Sequence, residues 1–552
     1  MTFSKKLLTI SIVFLCMMLS VGAVSAGAST SYSDAGVSET TSVAATDSYA
    51  ERSIAIGWTD ELAEYLHNLL TYHGDSDDME SGQTQTNPLL DLYTADELAA
   101  LEEAFGLYYS DYLILKDMHG TMYLGGTTST ATTATGTPIT TAQELMAIDP
   151  TGSYYLAKNI DLTGVTWSPI GVAGTGTMFV GSFDGNGYTI SNLNINSDTA
   201  NYGLFGVVGS GATITGLTIE DFTIDGTAAN SGFLIGSIVG TSGGDPITIS
   251  DITVNGGTNT VRVVNAENKS TDAFVGGIVG QVSGAAKVNF VDITVKNINI
   301  SVEMGHRVGG IIGCPTGSGT VVNLDNCDVL NSKISTASGY IVGGAIGAVD
   351  HYASATLNSE CLIDGCTVYT ASGPNVGGAI GNVANYASAT IEGDGNVIVS
   401  NCLISTASGN FEGGAIGFVH HYASATLNDV GIEDCVITAS GYNVGGAIGR
   451  VHDYASATLS SVWVENCVVH GSTGVGGLIG SVYGETSASA STATLNNCQS
   501  IRETIVGSNG VGGMVGRVVN SDCLTTECLT SQSIVRGGSN VGGVVGLWSY
   551  TA

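Results

Sequence analysis

Basic side chains are scarce. Fifteen Lys and Arg stand against 49 Asp and Glu, a formal charge of −34, in a chain of which only 12% is charged. Such a balance disfavours nucleic acid and anionic membrane as partners. Proline is scarcer still, with seven residues in 552, which excludes collagen and Pro-rich disorder. Aromatic residues make up 7%, so a core must come from Val, Ile, Leu and Ala. Beyond the N-terminus no run approaches the ~18 unbroken apolar residues of a membrane helix. What the chain has instead is glycine, 78 residues, roughly twice normal usage. With 43% hydrophobic residues, this composition describes a repetitive β protein with ample core material.

Lys5 and Lys6 precede the apolar run Leu7 to Val21, followed by Val24-Ser25-Ala26. That order of basic, apolar and small residues predicts an export signal over 1–26, cleaved after Ala26, with no membrane span left in the mature chain. An uncleaved signal anchor is the competing reading. Cleavage removes Cys16 and leaves ten cysteines outside the cytoplasm, where disulfides can form. Asn268 and Asn299 open glycosylation sequons, which also arise by chance in a Ser/Thr-rich chain.

Residues 27–50 read as a flexible lead of Ser, Thr and Ala. Over 51–124 a helical region is expected: Leu62, Tyr65, Leu66, Leu69 and Leu70 share one helical face, and Thr94 with Glu97 forms a capping box ahead of Leu98, Leu101, Phe105, Tyr108 and Tyr112. The Gly/Thr/Ser/Ala stretch 125–137 is a linker. Thr141 and Glu144 cap one more short helix, after which short Val/Ile/Thr strands alternate with Gly, Asn and Asp.

A Gly-Gly-apolar-apolar-Gly unit then occurs nine times, with first glycines at Gly276, Gly309, Gly343, Gly377, Gly413, Gly445, Gly476, Gly512 and Gly542. A period near 33 marks a stacked array rather than one globular core, and Gly doublets with β-branched residues disfavour helix at every copy. The predicted fold is all-β: a parallel β-solenoid of about 33-residue repeats, first coils over 138–270 and Gly-Gly coils over 271–552. Each coil reads as three strands, typified by Val376–Gly381, Tyr386–Ile391 and Asn401–Ile404. The glycines either give one strand face almost no side chains, allowing close approach of another sheet, or sit at corners needing positive φ.

Residues 138–206 carry Tyr154-Tyr155-Leu156, Asn159-Ile160-Asp161-Leu162, Trp167-Ser168-Pro169-Ile170-Gly171, Phe183-Asp184-Gly185-Asn186-Gly187-Tyr188 and Tyr202-Gly203-Leu204-Phe205-Gly206. This pattern resembles the opening coils of GLUG-motif β-solenoids, a family common on microbial cell surfaces. The nine Gly-Gly units look like degenerate copies of that motif, without its Leu-Phe. In composition and architecture the chain is also similar to the major sheath protein of filamentous methanogenic archaea, and that resemblance implies an amyloid-like tubular coat.

Cys327, Cys366, Cys402, Cys435, Cys467, Cys498 and Cys528 recur at comparable places and are expected to form a ladder. Facing inward, it is a row of small apolar side chains; facing outward, it offers staples between coils or subunits. Cys314, Cys361 and Cys523 fall off that ladder and are the better candidates for bonds between chains. His351, His420, His421 and His452 precede or adjoin the recurrent Tyr-Ala-Ser-Ala phrase. Stacking would align them into a column that either binds a transition metal or is a solvated corner.

No cofactor is implied. Catalysis finds no support either: from residue 271 onward there are eight Lys or Arg, no repeat gathers acidic, basic and aromatic groups, and no phosphate loop or Ser-His-Asp set can be nominated. The last unit, Val541–Gly546, keeps the repeat pattern, which predicts an uncapped rung able to recruit another copy. The expected function is a self-assembling structural protein of the cell envelope, a sheath or surface-layer subunit whose partner is itself. A surface adhesin that binds polysaccharide or another cell through its loops is the alternative.

Overall fold

The computed structural model describes residues 135–550, apart from 172–176, 198–200, 227–229, 257–261, 264–272, 304–306 and 359, together with two short upstream strands. Those two, Ser53–Ile54 and Met122–Tyr123, pair antiparallel. The signal ending at Ala26, the 27–50 lead, the rest of the 51–124 region, most of the linker, and Asn268 lie outside the described residues. The chain divides at residue 130, and the fold below is that of the second unit, Ala131–Ala552.

Turn-forming residues come so often that strands stay short. Around residue 380, Val376–Gly377 forms one strand, Ile380–Ala384 a second, Ser388–Ser400 a third and Leu403–Thr406 a fourth. Each strand pairs in parallel with its counterpart one repeat away. The result is four stacks, sheets I to IV in that order, with ten strands in sheet I, eleven in sheet II and nine in sheet IV. The molecule is a parallel β-solenoid of about 10 turns with a repeat of about 34 residues.

Registration is by identity of position. Val342, Val376, Glu412 and Val444 are successive partners in sheet I. Ile346, Ile380, Ile416 and Ile448 follow one another in sheet II, and Ala355, Ala389, Ala425 and Ala457 in sheet III. Ile334, Val368, Ile404 and Ile437 do so in sheet IV. Apart from Glu412 these are members of one continuous aliphatic core. Sheet III alternates buried and part-exposed residues along much of each strand, and sheet IV does likewise, so these two have an outer side. Strands of sheets I and II are buried almost throughout. Aromatic packing inside the core belongs to the earlier rungs, where Phe205 meets Phe179 at 4.8 Å and Phe183 at 5.6 Å. There too the five-residue helix Ala142–Met146 carries the expected Thr141–Glu144 capping box and buries Leu145.

Corners are made by residues in the left-handed region. Asn and Asp tolerate it best, and they recur: Asn375 just before a strand of sheet I and Asn443 within the strand Tyr442–Gly445, Asn297, Asn331, Asn401 and Asp434 before sheet IV. Stacked corners bond to one another, as where Asn401 Nδ2 donates to Asp364 Oδ1 at 2.8 Å and Asn326 Nδ2 to Asp292 Oδ1 at 2.6 Å.

The Gly-Gly unit lies at the corner between sheets I and II, so the phrase expected as one strand is two. Its doublet glycines are not among those with positive φ. What they supply is room. A methyl on Gly344, Gly378, Gly414 or Gly446 would run into the carbonyl oxygen of the equivalent glycine one rung on, and one on Gly381 or Gly417 would meet the backbone of sheet I in the preceding rung. Close approach is therefore the reason for the motif, and it operates at a corner.

One consequence separates position from context. Gly414→Ala should destabilise the solenoid by about 1–3 kcal/mol through overpacking, seen as a lower melting temperature by circular dichroism. At Gly543, the equivalent glycine of the last rung, an added methyl would meet nothing within 4 Å, and Gly543→Ala should leave the melt unchanged.

Candidate functional site

Register decides what the cysteines do. Cys366 precedes Thr367, whose partners are Lys333 and Leu403, and continuing the register stacks Cys366, Cys402, Cys435 and Cys467 in one inward column. Ser332 lies below it, with Glu503 and Ser533 above. Cys327 pairs with Ile293 and belongs elsewhere, two residues before the Val329–Ile363 pair that also aligns Cys361. Cys498 and Cys528 stack in the column of Val462. The expected seven-membered ladder is thus split among separate columns, because the 39-residue step from Cys327 to Cys366 exceeds the local rung and the 31-residue step from Cys467 to Cys498 falls short of it.

Eight of the ten described cysteines are buried. Cys314 is 1% exposed and Cys361 2%, so neither reaches another chain from the folded state. Cys523 continues the alanine column of sheet III from Ala493. It and Cys528 are only half-buried. Burial pushes the Cys498 and Cys523 thiols up to about 12, which keeps them protonated and poor nucleophiles at neutral pH.

The histidines do not form one column. His420 and His452 are partners at the end of sheet II, while His351 and His421 occupy the next corner, in register with Asn385 and Asp453. His420 Nδ1 lies 2.7 Å from His421 Nδ1, and His421 Nε2 lies 3.1 Å from Asp453. Burial, with His421 and His452 beside it, pushes His420 down to about 3; burial and Arg450 hold His452 down to about 4. Both rings are neutral over the physiological range. Among the described residues no three His, Cys, Asp or Glu side chains converge as metal ligands. Asn299 is on the outer column of sheet IV, paired with Lys333.

Sequence reading misses a tyrosine stack. Tyr352, Tyr386, Tyr422 and Tyr454 stand on successive rungs with ring centroids 4.9, 4.8 and 4.5 Å apart and planes within 4° of parallel. Each sits in the left-handed region, unusual for a bulky residue. The phrase Tyr-Ala-Ser-Ala is visible in the chain but reads as strand throughout; the strand begins only at the serine, such as Ser388.

Two buried acids also escape it. Glu412 replaces a valine in sheet I, and neither carboxyl oxygen has a hydrogen-bond partner; Glu503 has one, from the Ser500 hydroxyl at 2.7 Å. Desolvation holds both well above the usual Glu value of 4.5. They are neutral acids inside an aliphatic core.

The last rung is where buried columns come into the open. Val511, Met514 and Val518 are 0% exposed, whereas their successors Val541, Val544 and Trp548 are 46%, 47% and 50% exposed. The strands there, Ser539–Gly542 and Val545–Ser549, pair on one side alone among the described residues.

No family model matches the chain. Over 155 residues, 25% of its length, it is 36% identical to Halomucin of Haloquadratum walsbyi, covering 2% of that protein. Over 96 residues, 16% of its length, it is 36% identical to the "Putative Gly-rich membrane protein" of Evansella cellulosilytica, covering 11%. The chain therefore spans a small part of the curated relatives it matches. Among solved structures, a "putative immunoglobulin A1 protease" from Bacteroides ovatus aligns over 53% of this chain and 79% of its own, at 17% identity and a TM-score of 0.37. A likeness that loose says nothing about activity. No helix among the described residues is long and apolar enough to cross a membrane.

Glu412 makes the pH dependence testable. A carboxyl whose folded value is raised contributes its stability fully below the unfolded value of 4.5 and loses it as pH rises toward the folded value. Glu412→Val should therefore stabilise by about 1–3 kcal/mol at pH 4, the cost of the unsatisfied polar group, and by more at pH 7. Melting curves of both proteins at the two pH values check this; an equal shift at both contradicts the neutral-acid assignment.

Proposed function

We propose that this β-solenoid repeat protein is an exported, self-assembling structural subunit of the cell envelope, a sheath or surface-layer protein in which one molecule continues the stack of the next. What supports it is the repetition of the rungs: the half-exposed columns of Val541, Val544 and Trp548 continue the buried columns of Val511, Met514 and Val518, and their strands pair on one side among the described residues. An edge of that kind is a template for strand addition. Because every inner rung offers the same columns, an added rung from a second copy meets the apolar surface and backbone spacing that an internal rung would. A contact that does not close generates a filament or, with curvature, a hoop.

Disulfides add to this reading at one place. Cys528 lies on the last rung and is half-buried rather than buried, so in an oxidising compartment it is the thiol placed for links between chains. An adhesin gains less from the geometry: in the tyrosine stack the rings turn their faces to one another, leaving mainly edges for a glycan.

Purified protein lacking residues 1–26 should form ordered fibres or hoops under negative-stain microscopy. Val544→Asp, placing an unpaired charge in the joint, should slow elongation by about tenfold or more without altering the melt. Cys528→Ser should leave assemblies that SDS disperses without reductant. Persistent monomers of the unaltered chain at high concentration, in oxidising buffer, refute the assembly reading.

A further inference from the structure

Two sheets have an outer side, and they differ in charge. The nine strands of sheet IV contain no Asp or Glu, in a chain with 49 of them. Their outer column runs Leu403, Val436, Val468, Thr504 and Ile534 in direct register. Leu403 is 41% exposed, Val436 40% and Val468 39%, an apolar stripe across three adjacent rungs. Among the described side chains, the exposed ionisable groups on this sheet include Lys333, His470 and Arg536. Sheet III, by contrast, exposes Asp251, Asp292, Asp325, Asp394 and Asp429.

We propose that the outer side of sheet IV is a lateral contact for a second copy of this chain, paired with the same sheet across a two-fold axis. This deepens the assembly reading and rests on it. The argument is electrostatic as much as apolar. At −34 two copies repel over most of their surface. Sheet III meeting sheet III would set rows of aspartate against each other, and sheets I and II are buried within the solenoid. Sheet IV meeting sheet IV brings no acid from its strands to the contact, leaving the exposed corner residue Asp434 at the margin, and covers Leu403, Val436 and Val468 with their own counterparts, in the face-to-face packing that flat sheets adopt at about 10 Å. A two-fold contact of this kind closes, so it doubles a filament without competing for the open last rung.

The test uses the full mature chain carrying Val544→Asp, so that end-to-end growth is suppressed and lateral pairing is read alone. Sedimentation should show a discrete dimer, and adding Val436→Asp with Val468→Asp should weaken it by about a hundredfold or more. Both side chains point outward, so the melt should not change; Val436→Thr with Val468→Thr, uncharged, should weaken the dimer far less. A monomer with Val544→Asp alone, or a dimer indifferent to both aspartates, overturns the proposal. So do open-ended oligomers abolished by Asp394→Lys with Asp429→Lys, which would place sheet III against sheet IV instead. Wild-type protein that forms this dimer and no longer assemblies refutes the elongation reading while leaving the lateral contact standing.

Discussion

The backbone hydrogen bond from one rung to the next, repeated with nearly the same partner position each time, is the constraint on which the rest depends. It holds neighbouring strands about 4.8 Å apart and fixes what stands above and below every side chain. The Gly-Gly corner lets that spacing continue through the tightest bend, since Gly378 lies against the Gly414 carbonyl and Gly414 against that of Gly446. Any side chain there would force the rungs apart, and with them the pairing of all four sheets.

Such a lattice turns single residues into columns, and a column multiplies whatever its residue does. Isoleucine on isoleucine builds the later rungs of a core whose aromatic rings lie in its earlier ones. Asparagine at a left-handed corner bonds to its neighbour on the adjacent rung, as Asn326 does to Asp292. Thiols stack inward as small apolar groups. Tyrosine at a strained corner, four rungs running, gives a ring stack that no isolated tyrosine could form. The same rule makes departures costly: Glu412 stands where its neighbours above and below are Val444 and Val376, with no polar partner, and it stays neutral.

The lattice also determines where the molecule can meet another. A rung's edge is satisfied by another rung, so the exposed columns at Val541, Val544 and Trp548 continue the inner columns of the stack rather than form a carved site. Lateral surfaces obey charge instead. Acidic residues gather in and around sheet III, and the acid-free strands of sheet IV are left as the surface on which like charge does not oppose contact.

The β-solenoid class, the repeat of about 34 residues and the capping box at Thr141 and Glu144 could be read from the chain, because periodicity and turn chemistry are local properties. The amino-acid order also placed cysteines at intervals close to one rung. It could not say that Cys327 and Cys366 belong to different columns, that the Gly-Gly phrase bends rather than runs straight, or that the tyrosines leave the strand to stack. Those outcomes depend on register, and register is set by the summed hydrogen bonding and packing of whole rungs, where a shift of a residue or two costs nothing visible in a short stretch of sequence. Composition determined the material and the period; only the stacked structure decided which residues became neighbours.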